Sequence, residues 1–361
     1  MTEAELMQLL AAITPPDEAA RAAAHAHWVS LAKPLGGLGA LETLLEDAAA
    51  LTGTAQFDFS RRAVAVLCAD NGVVAQGVSQ TDQSVTRTVA ENLAARRTSV
   101  CRMAQAAHCD VLPVDMGFAG APVPGVRDCR IAAGTADFAK GPAMSREDCV
   151  KAMEIGIEVT NEMVEKGYDI IGTGELGMAN TSSSSCVLVA LTDVTMDQAV
   201  GKGAGLTDEA HQHKKEVLNR ALEVNKPDKN DPIDVISKVG GFDIAGLVGV
   251  YLAAAANRKP VVVDGFISAA AALAAVKLCP AAADYMITSH CSAEPGFMAM
   301  MDALGKKPML MLDMRLGEGS GCPMAFHVVD QALAMINHMA TFGEATIDSS
   351  EFVDIREDEE E

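Results

Sequence analysis

Short apolar runs closed by glycine or acidic residues alternate along this chain with longer stretches whose apolar positions recur at helical spacing. Residues 63–69 form the clearest run. They are bounded by Arg61-Arg62 and by Asp70-Asn71-Gly72, and read as a buried strand. Residues 110–116, 169–172, 260–263, 285–288 and 309–312 read as further strands, the last within the apolar run Pro308-Met309-Leu310-Met311-Leu312, taken as buried; residues 195–200 make a poor one. Helical spacing covers 2–13 and 17–32, split by Thr14-Pro15-Pro16, then 84–107, 145–166, 208–224, an Ala-rich stretch to 278, and 323–341. Ser145 followed three residues later by Asp148 suits a helix start, because the Ser oxygen can accept from a free amide of the first turn. A Gly- and Pro-containing segment fills 118–144, and 226–231 is a polar loop. Strands alternating with helices of a dozen residues or more predict an α/β fold, a parallel sheet flanked by helices on both faces.

Composition narrows the function classes. The chain has 361 residues, 49% of them apolar but only 4% aromatic, which favours small-residue helix–sheet packing over a β-sandwich. The formal charge of −21 argues against a nucleic-acid partner, since phosphate neutralisation needs clustered Lys and Arg. An anionic substrate would need local amides and a few cations to hold it against that field. The longest apolar stretch, 244–256, is too short to span a bilayer. Nine scattered cysteines with no CxxC pair, and no export pattern at the N-terminus, lead us to expect reduced thiols in a cytoplasmic protein. No metal is expected: His211 and His213 are two apart, on different helix faces, and no HExxH or Cys/His cluster appears.

Candidate chemistry gathers at strand ends, where open α/β sheets bind ligands. Arg315-Leu316-Gly317-Glu318-Gly319-Ser320-Gly321 sets one carboxylate among glycines just after an apolar run, so Glu318 is either a general base or a helix cap. Gly174-Glu175-Leu176-Gly177-Met178-Ala179-Asn180-Thr181-Ser182, followed by three more serines, is rich in hydroxyls at a helix start and suits a phosphate, or an ordinary cap. Gly201-Lys202-Gly203-Ala204-Gly205-Leu206 does not follow a good strand, and reads as a loop over a nucleotide with Lys202 or Lys214 near phosphate, or as a flexible surface loop. Asp243 and Asp264 could each contact substrate or serve a turn. No GxxxxGK[ST] or GxSxG sequence is present, which disfavours a P-loop ATPase and a serine hydrolase.

Taken in order, several segments resemble one family. They are Lys33-Pro34-Leu35-Gly36-Gly37-Leu38-Gly39, Ala69-Asp70-Asn71-Gly72-Val73 with Gly77-Val78-Ser79, Gly141-Pro142-Ala143-Met144, Gly174-Glu175-Leu176-Gly177 with Asn180-Thr181-Ser182, Gly203-Ala204-Gly205-Leu206, Ser289-His290 with Ser292-Ala293-Glu294, the Arg315–Gly321 turn, and Met339-Ala340-Thr341-Phe342. The family is nicotinate-nucleotide–dimethylbenzimidazole phosphoribosyltransferase, which activates the lower ligand of cobalamin. The resemblance implies a Rossmann-like large domain over 61–322 and a small helical domain from both chain ends, 1–60 and 323–347; the acidic run that closes 348–361 is itself expected to be a disordered tail. It implies transfer of phosphoribose from nicotinate mononucleotide to dimethylbenzimidazole with inversion, without a cofactor, by a homodimer.

Residue by residue, the resemblance makes Glu318 the base and Glu175 a second carboxylate. It assigns phosphate and ribose contacts to Gly177, Asn180, Thr181, Ser182, Gly203, Gly205, Lys214, Asp243, Asp264 and Ser292, and base-pocket contacts to Ser79, Leu176, Met178 and Leu316. Family members commonly have His where this chain has Asn71, and Pro where it has Gln80-Thr81-Asp82-Gln83, near the expected lower-ligand pocket. Adenine, another benzimidazole or a phenol therefore stay open as acceptors, as does a role as the degenerate subunit of a heterodimer with a paralogue.

Overall fold

A computed structural model of the chain describes residues 1–203, 205–350, 352 and 353. Six strands form one parallel sheet: β1 (Arg62–Ala69), β2 (Asp110–Gly117), β3 (Arg127–Asp128), β4 (Ile170–Leu176), β5 (Val261–Val263) and β6 (Met286–Thr288), in the order β3-β2-β1-β4-β5-β6. The chain builds outward from β1 through β2 and β3, then crosses back to lay β4 on the other side of β1. That reversal leaves a crevice beyond the carboxyl ends of β1 and β4, where ligands sit in folds of this kind. This is the α/β architecture that the alternating pattern predicts.

β1 carries no exposed residue, as a strand covered on both faces must. Its alternate side chains enter two separate cores. Ala63, Ala65, Leu67 and Ala69 face the core built by α6 (Arg146–Glu165) and α11 (Phe242–Ala256), numbered in chain order with the helices below. Val64, Val66 and Cys68 face the core that holds Phe326 and Val329 of α14 (Gly321–His338). The α6–α11 contact is made by backbone: a methyl on Gly156 would strike the Gly246 carbonyl, and one on Gly249 the Met153 carbonyl.

The chain ends meet. α1 (Glu3–Ala11) packs on α11, α2 (Glu18–Ser30) lies on α3 (Ala40–Thr52), α14 packs on α3, and Leu31 forms an antiparallel bridge with Thr341. A buried ion pair, Lys33 Nζ to Glu42 Oε1 at 2.7 Å, closes the segment between α2 and α3.

The remaining α-helices are α4 (Ser84–Ala94), α5 (Ser99–Ala106), α7 (Asn180–Leu191), α8 (Met196–Ala199), α9 (Asp208–Asn225), α10 (Pro232–Val239), α12 (Phe266–Leu278), α13 (Phe297–Leu304) and α15 (Phe342–Ala345). Three expectations need correction. The helix over 84–107 is two helices, because Arg96 turns left-handed at φ 58° and its guanidinium donates to the Val111 carbonyl at 2.6 Å. The poor strand over 195–200 is the short helix α8, whose start is closed by Gln198 Oε1 accepting from the Thr195 amide at 3.0 Å. The run at 308–312 is not buried. It belongs to β8 (Leu310–Met314), which among the described residues pairs only with β7 (His290–Ser292) in a separate two-stranded sheet, leaving Met311 74% exposed. Most of the acidic tail, residues 354–361, lies outside the described residues. Among the described residues no helix is long and apolar enough to cross a membrane.

Candidate active site

A cleft opens beyond the carboxyl end of β4, lined also by Lys202, Gly203 and Leu206 and by the turn after β8. Its wall brings together thirteen of the residues singled out from sequence: Ser79, Glu175, Leu176, Gly177, Met178, Asn180, Thr181, Gly203, Lys214, Asp264, Ser292, Leu316 and Glu318. The cleft opens to solvent, with about 1080 Å³ of empty space within and above it.

The Glu318 turn is built by main chain. Gly317, Glu318 and Gly319 are consecutive left-handed residues, with φ of 84°, 62° and 86°. Glycine accepts that conformation freely; glutamate does so at a cost that surrounding structure must offset. Asp264, at the end of β5, supplies part of it: its carboxylate accepts from the amides of Gly319 at 3.1 Å and Gly321 at 2.6 Å. From below, the Glu318 carbonyl rests on Gly174 of β4, where a methyl would lie 2.6 Å from the oxygen. The half-buried Glu318 side chain is held at its Oε2 by the Val100 amide, 3.2 Å away, in the first turn of α5. The break at Arg96 thus places a helix N-terminus, with its free amides and positive end, against the carboxylate.

Glu175 is buried, and burial, followed by the neighbouring Asp243 carboxylate, pushes its pKa up to about 8. Asn180, at the start of α7, donates from one amide nitrogen both to Glu175 Oε2 and, at 3.0 Å, to Asp243 Oδ2. Burial likewise raises Asp264 to about 7 and Asp243 to about 6.

At the other end of the cleft Lys214, on α9, turns its ammonium inward. It donates to Thr181 Oγ1 at 3.0 Å and to the Gly201 carbonyl at 3.4 Å, and burial pulls its pKa down to about 8. Lys202, the alternative from sequence, instead pairs with Asp208 at 2.5 Å and is half-exposed, although it reaches the rim. Gly203 brings the loop over Thr181 and Lys214: a methyl there would lie 3.3 Å from Thr181 Oγ1 and 3.8 Å from the ammonium. A buried lysine beside hydroxyls and a backbone turn at a helix start is suited to a dianionic phosphate.

Three of the singled-out residues are not in the wall. Ser182 is fully buried in the first turn of α7, its hydroxyl without a hydrogen-bond partner among the described residues. Gly205 gives its carbonyl to the Gln80 amide. Asp243 lies behind Asn180 with no exposed surface. Asn71, expected near the lower-ligand pocket, is also buried, accepting from Ser183 Oγ at 2.8 Å, whereas Gln80 and Thr81 do line the cleft. The wall also contains His290, Glu294 and Arg315, which the motifs contain but to which sequence reasoning gave no role. Nothing in the sequence signals Val100, whose partner is 218 residues away.

The profile of a phosphoribosyltransferase family matches residues 13–347. A Clostridium tetani protein named nicotinate-nucleotide–dimethylbenzimidazole phosphoribosyltransferase is 45% identical over 358 residues, covering 98% of each chain. The chain belongs to this phosphoribosyltransferase family. Another member by that name, from Ruminiclostridium cellulolyticum, is 47% identical over 320 residues, 88% of this chain and 91% of that one. The crystal structure of CobT from Thermus thermophilus superposes with a TM-score of 0.87 at 35% identity, covering 91% of this chain and 99% of the other. The family's fold is therefore present nearly end to end.

Proposed function

We propose that this chain transfers the phosphoribosyl group of nicotinate mononucleotide to a nitrogen of 5,6-dimethylbenzimidazole, the reaction that the names of its relatives describe, with Glu318 as the base. The observation that carries this reading is the Glu318 carboxylate, fixed in the cleft wall by a left-handed main-chain turn and by the α5 amide.

The chemistry needs one base. The leaving nitrogen of nicotinate mononucleotide is a pyridinium, so when its bond to the anomeric carbon breaks the electron pair returns to the ring and no acid is required. One azole nitrogen attacks that carbon from the opposite face, turning β into α. The proton on the other azole nitrogen passes to the Glu318 carboxylate. Glu175, once ionised beside a cationic substrate, stabilises positive charge developing on the ribose. Lys214, Thr181 and the Gly203 backbone hold the phosphate; Gly177, Asn180, Asp264 and Ser292 lie on the ribose side; Ser79, Leu176, Met178 and Leu316 flank the acceptor base. The products are nicotinate and α-ribazole 5′-phosphate.

The partner in this reading is a second copy of the chain. Met311 (74% exposed) and Leu312 (46%) on β8 and Leu316 (54%) in the Glu318 turn give this strip of chain exposed apolar side chains, and Leu316 also lines the cleft. A homodimer would cover that strip and abut the cleft rim.

Steady-state assay of Glu318→Gln tests the reading. Nucleotide affinity should persist while kcat falls by about 100-fold or more, the scale of a positioned general base. A variant turning over at the wild-type rate removes Glu318 from the mechanism. Supplying adenine and phenol in parallel, with products resolved by mass, names the acceptor.

A further inference from the structure

Asp243 is a fully buried carboxylate that does not reach the cleft, so it cannot bind substrate directly. Its hydrogen bonding gives it another role. A carboxamide has two N–H bonds and one acceptor oxygen. Asn180 directs its nitrogen at two carboxylates at once, Glu175 Oε2 and Asp243 Oδ2, the latter at 3.0 Å. Both N–H bonds are then committed, and only the oxygen end is left for a ligand in the cleft that Asn180 lines. With Asp243 absent, the Glu175 carboxylate alone would hold the amide in that orientation, and the second N–H would be left without its partner.

The backbone closes around this arrangement. A methyl on Gly177 would lie 3.0 Å from Asn71 Nδ2 and 3.2 Å from Asp243 Oδ2. One on Gly241 would strike Asp243 Oδ1 and lie 2.6 Å from Asn71 Oδ1. Both glycines leave space that the side-chain cluster occupies.

We propose that Asp243 is a positioning residue for phosphoribosyl transfer, acting through the Asn180 amide to hold the Glu175 carboxyl in line and to present the Asn180 oxygen to a hydroxyl of the bound ribose. This rests on the reading of the cleft given above. The charged groups acting on Glu175 are all carboxylates: Asp243 on α11, Asp264 after β5 and Glu318 in its turn; Asp70, after β1, stands behind Asp243. Removing the Asp243 charge therefore makes ionisation of Glu175 easier.

The experiment is a double-mutant cycle on nicotinate release, with nucleotide affinity measured by calorimetry alongside. Asp243→Ala and Asn180→Ala should each lower kcat/KM for the nucleotide by about tenfold or more, the size expected when a buried polar group loses its partner. The double variant should be no worse than Asn180→Ala alone, since both act through one amide. Asp243→Asn keeps an acceptor for Asn180 but no charge; it should retain most of kcat, with the acid limb of the pH–rate profile moved to lower pH. If Asp243→Ala does not fold, the limb shift in Asp243→Asn decides the matter. Losses that multiply in the double variant, a wild-type rate for Asp243→Ala, or an unmoved limb would each overturn the proposal. A wild-type chain that releases no nicotinate would instead overturn the parent reading.

Discussion

Gly174 carries a prediction that separates where the base sits from what it is. Gly174 lies in β4 beneath the Glu318 carbonyl, and an added methyl would be 2.6 Å from that oxygen, 3.0 Å from the carbonyl carbon and 3.0 Å from Val66 Cγ2. Ordinary contact begins near 3.4 Å, so about 3.4 − 2.6 = 0.8 Å of retreat is needed. Val66 sits on the central strand between two cores and cannot yield much, which leaves the turn as the part that moves. Overfilling of this kind costs about 1–3 kcal/mol in stability. A displacement near 1 Å of a reacting group costs on the order of 100-fold in rate. Gly174→Ala should therefore lower Tm modestly and kcat by about 10- to 100-fold, with nucleotide KM changed far less, because Lys214 and Thr181 are untouched. Gly343→Ala, where a methyl meets nothing within 4 Å, is the control. The assays are steady-state kinetics and thermal melting of the same preparations. A Gly174→Ala protein with lowered Tm and unchanged kcat would refute the claim that this backbone contact sets the position of the base.

Three further outcomes are expected. Lys214→Met should raise the nucleotide KM by about tenfold or more, the worth of a charged hydrogen bond. In the wild type that KM should rise as pH climbs past about 8, where the buried ammonium loses its proton, and in the variant this dependence should vanish. The ligand-free chain should lose stability as pH rises from 6 to 8: Asp243, Asp264 and Glu175 hold protons more tightly folded than unfolded, so their contribution is present at low pH and lost through about 6, 7 and 8. Melting curves across that range check the sign, and a rising Tm would contradict it. Met311→Lys with Leu312→Lys should leave the chain folded but bring its mass by light scattering to half that of the wild-type particle, if β8 is the homodimer face; an unchanged mass would remove that face from the assembly.

The sheet was legible because its strands are short, apolar and closed by glycine or acid: residues 63–69 mark β1 to within one residue at its start. The misreadings have physical causes. Apolar content at 308–312 signals removal from water, but periodicity cannot say whether a helix of the same chain or another molecule removes it. The split near Arg96 is invisible because arginine is a good helix former; the turn depends on a tertiary bond to Val111. Glycine spacing does point to the unusual backbone around Glu318, since three left-handed residues in succession ask for it. Most assignments in the cleft, however, came from the order of several motifs and not from any one of them. What neither pattern nor resemblance could supply is second-layer contact: Val100 to Glu318, Asp264 to the turn, Asp243 to Asn180. Each joins residues 55 or more positions apart.

Three main-chain dihedrals aim the Glu318 carboxylate, so in the proposed reading the base and most of the acceptor pocket are recorded in different parts of the chain. Ser79 and Met178 line the cleft from outside the Arg315–Gly321 turn that presents Glu318, whereas Leu316 belongs to it. A lineage can therefore explore new aromatic acceptors by ordinary side-chain drift while its proton-accepting group stays fixed. The reverse path, moving the carboxylate to suit a new acceptor, would require coordinated change at Gly174, Asp264 and both flanking glycines.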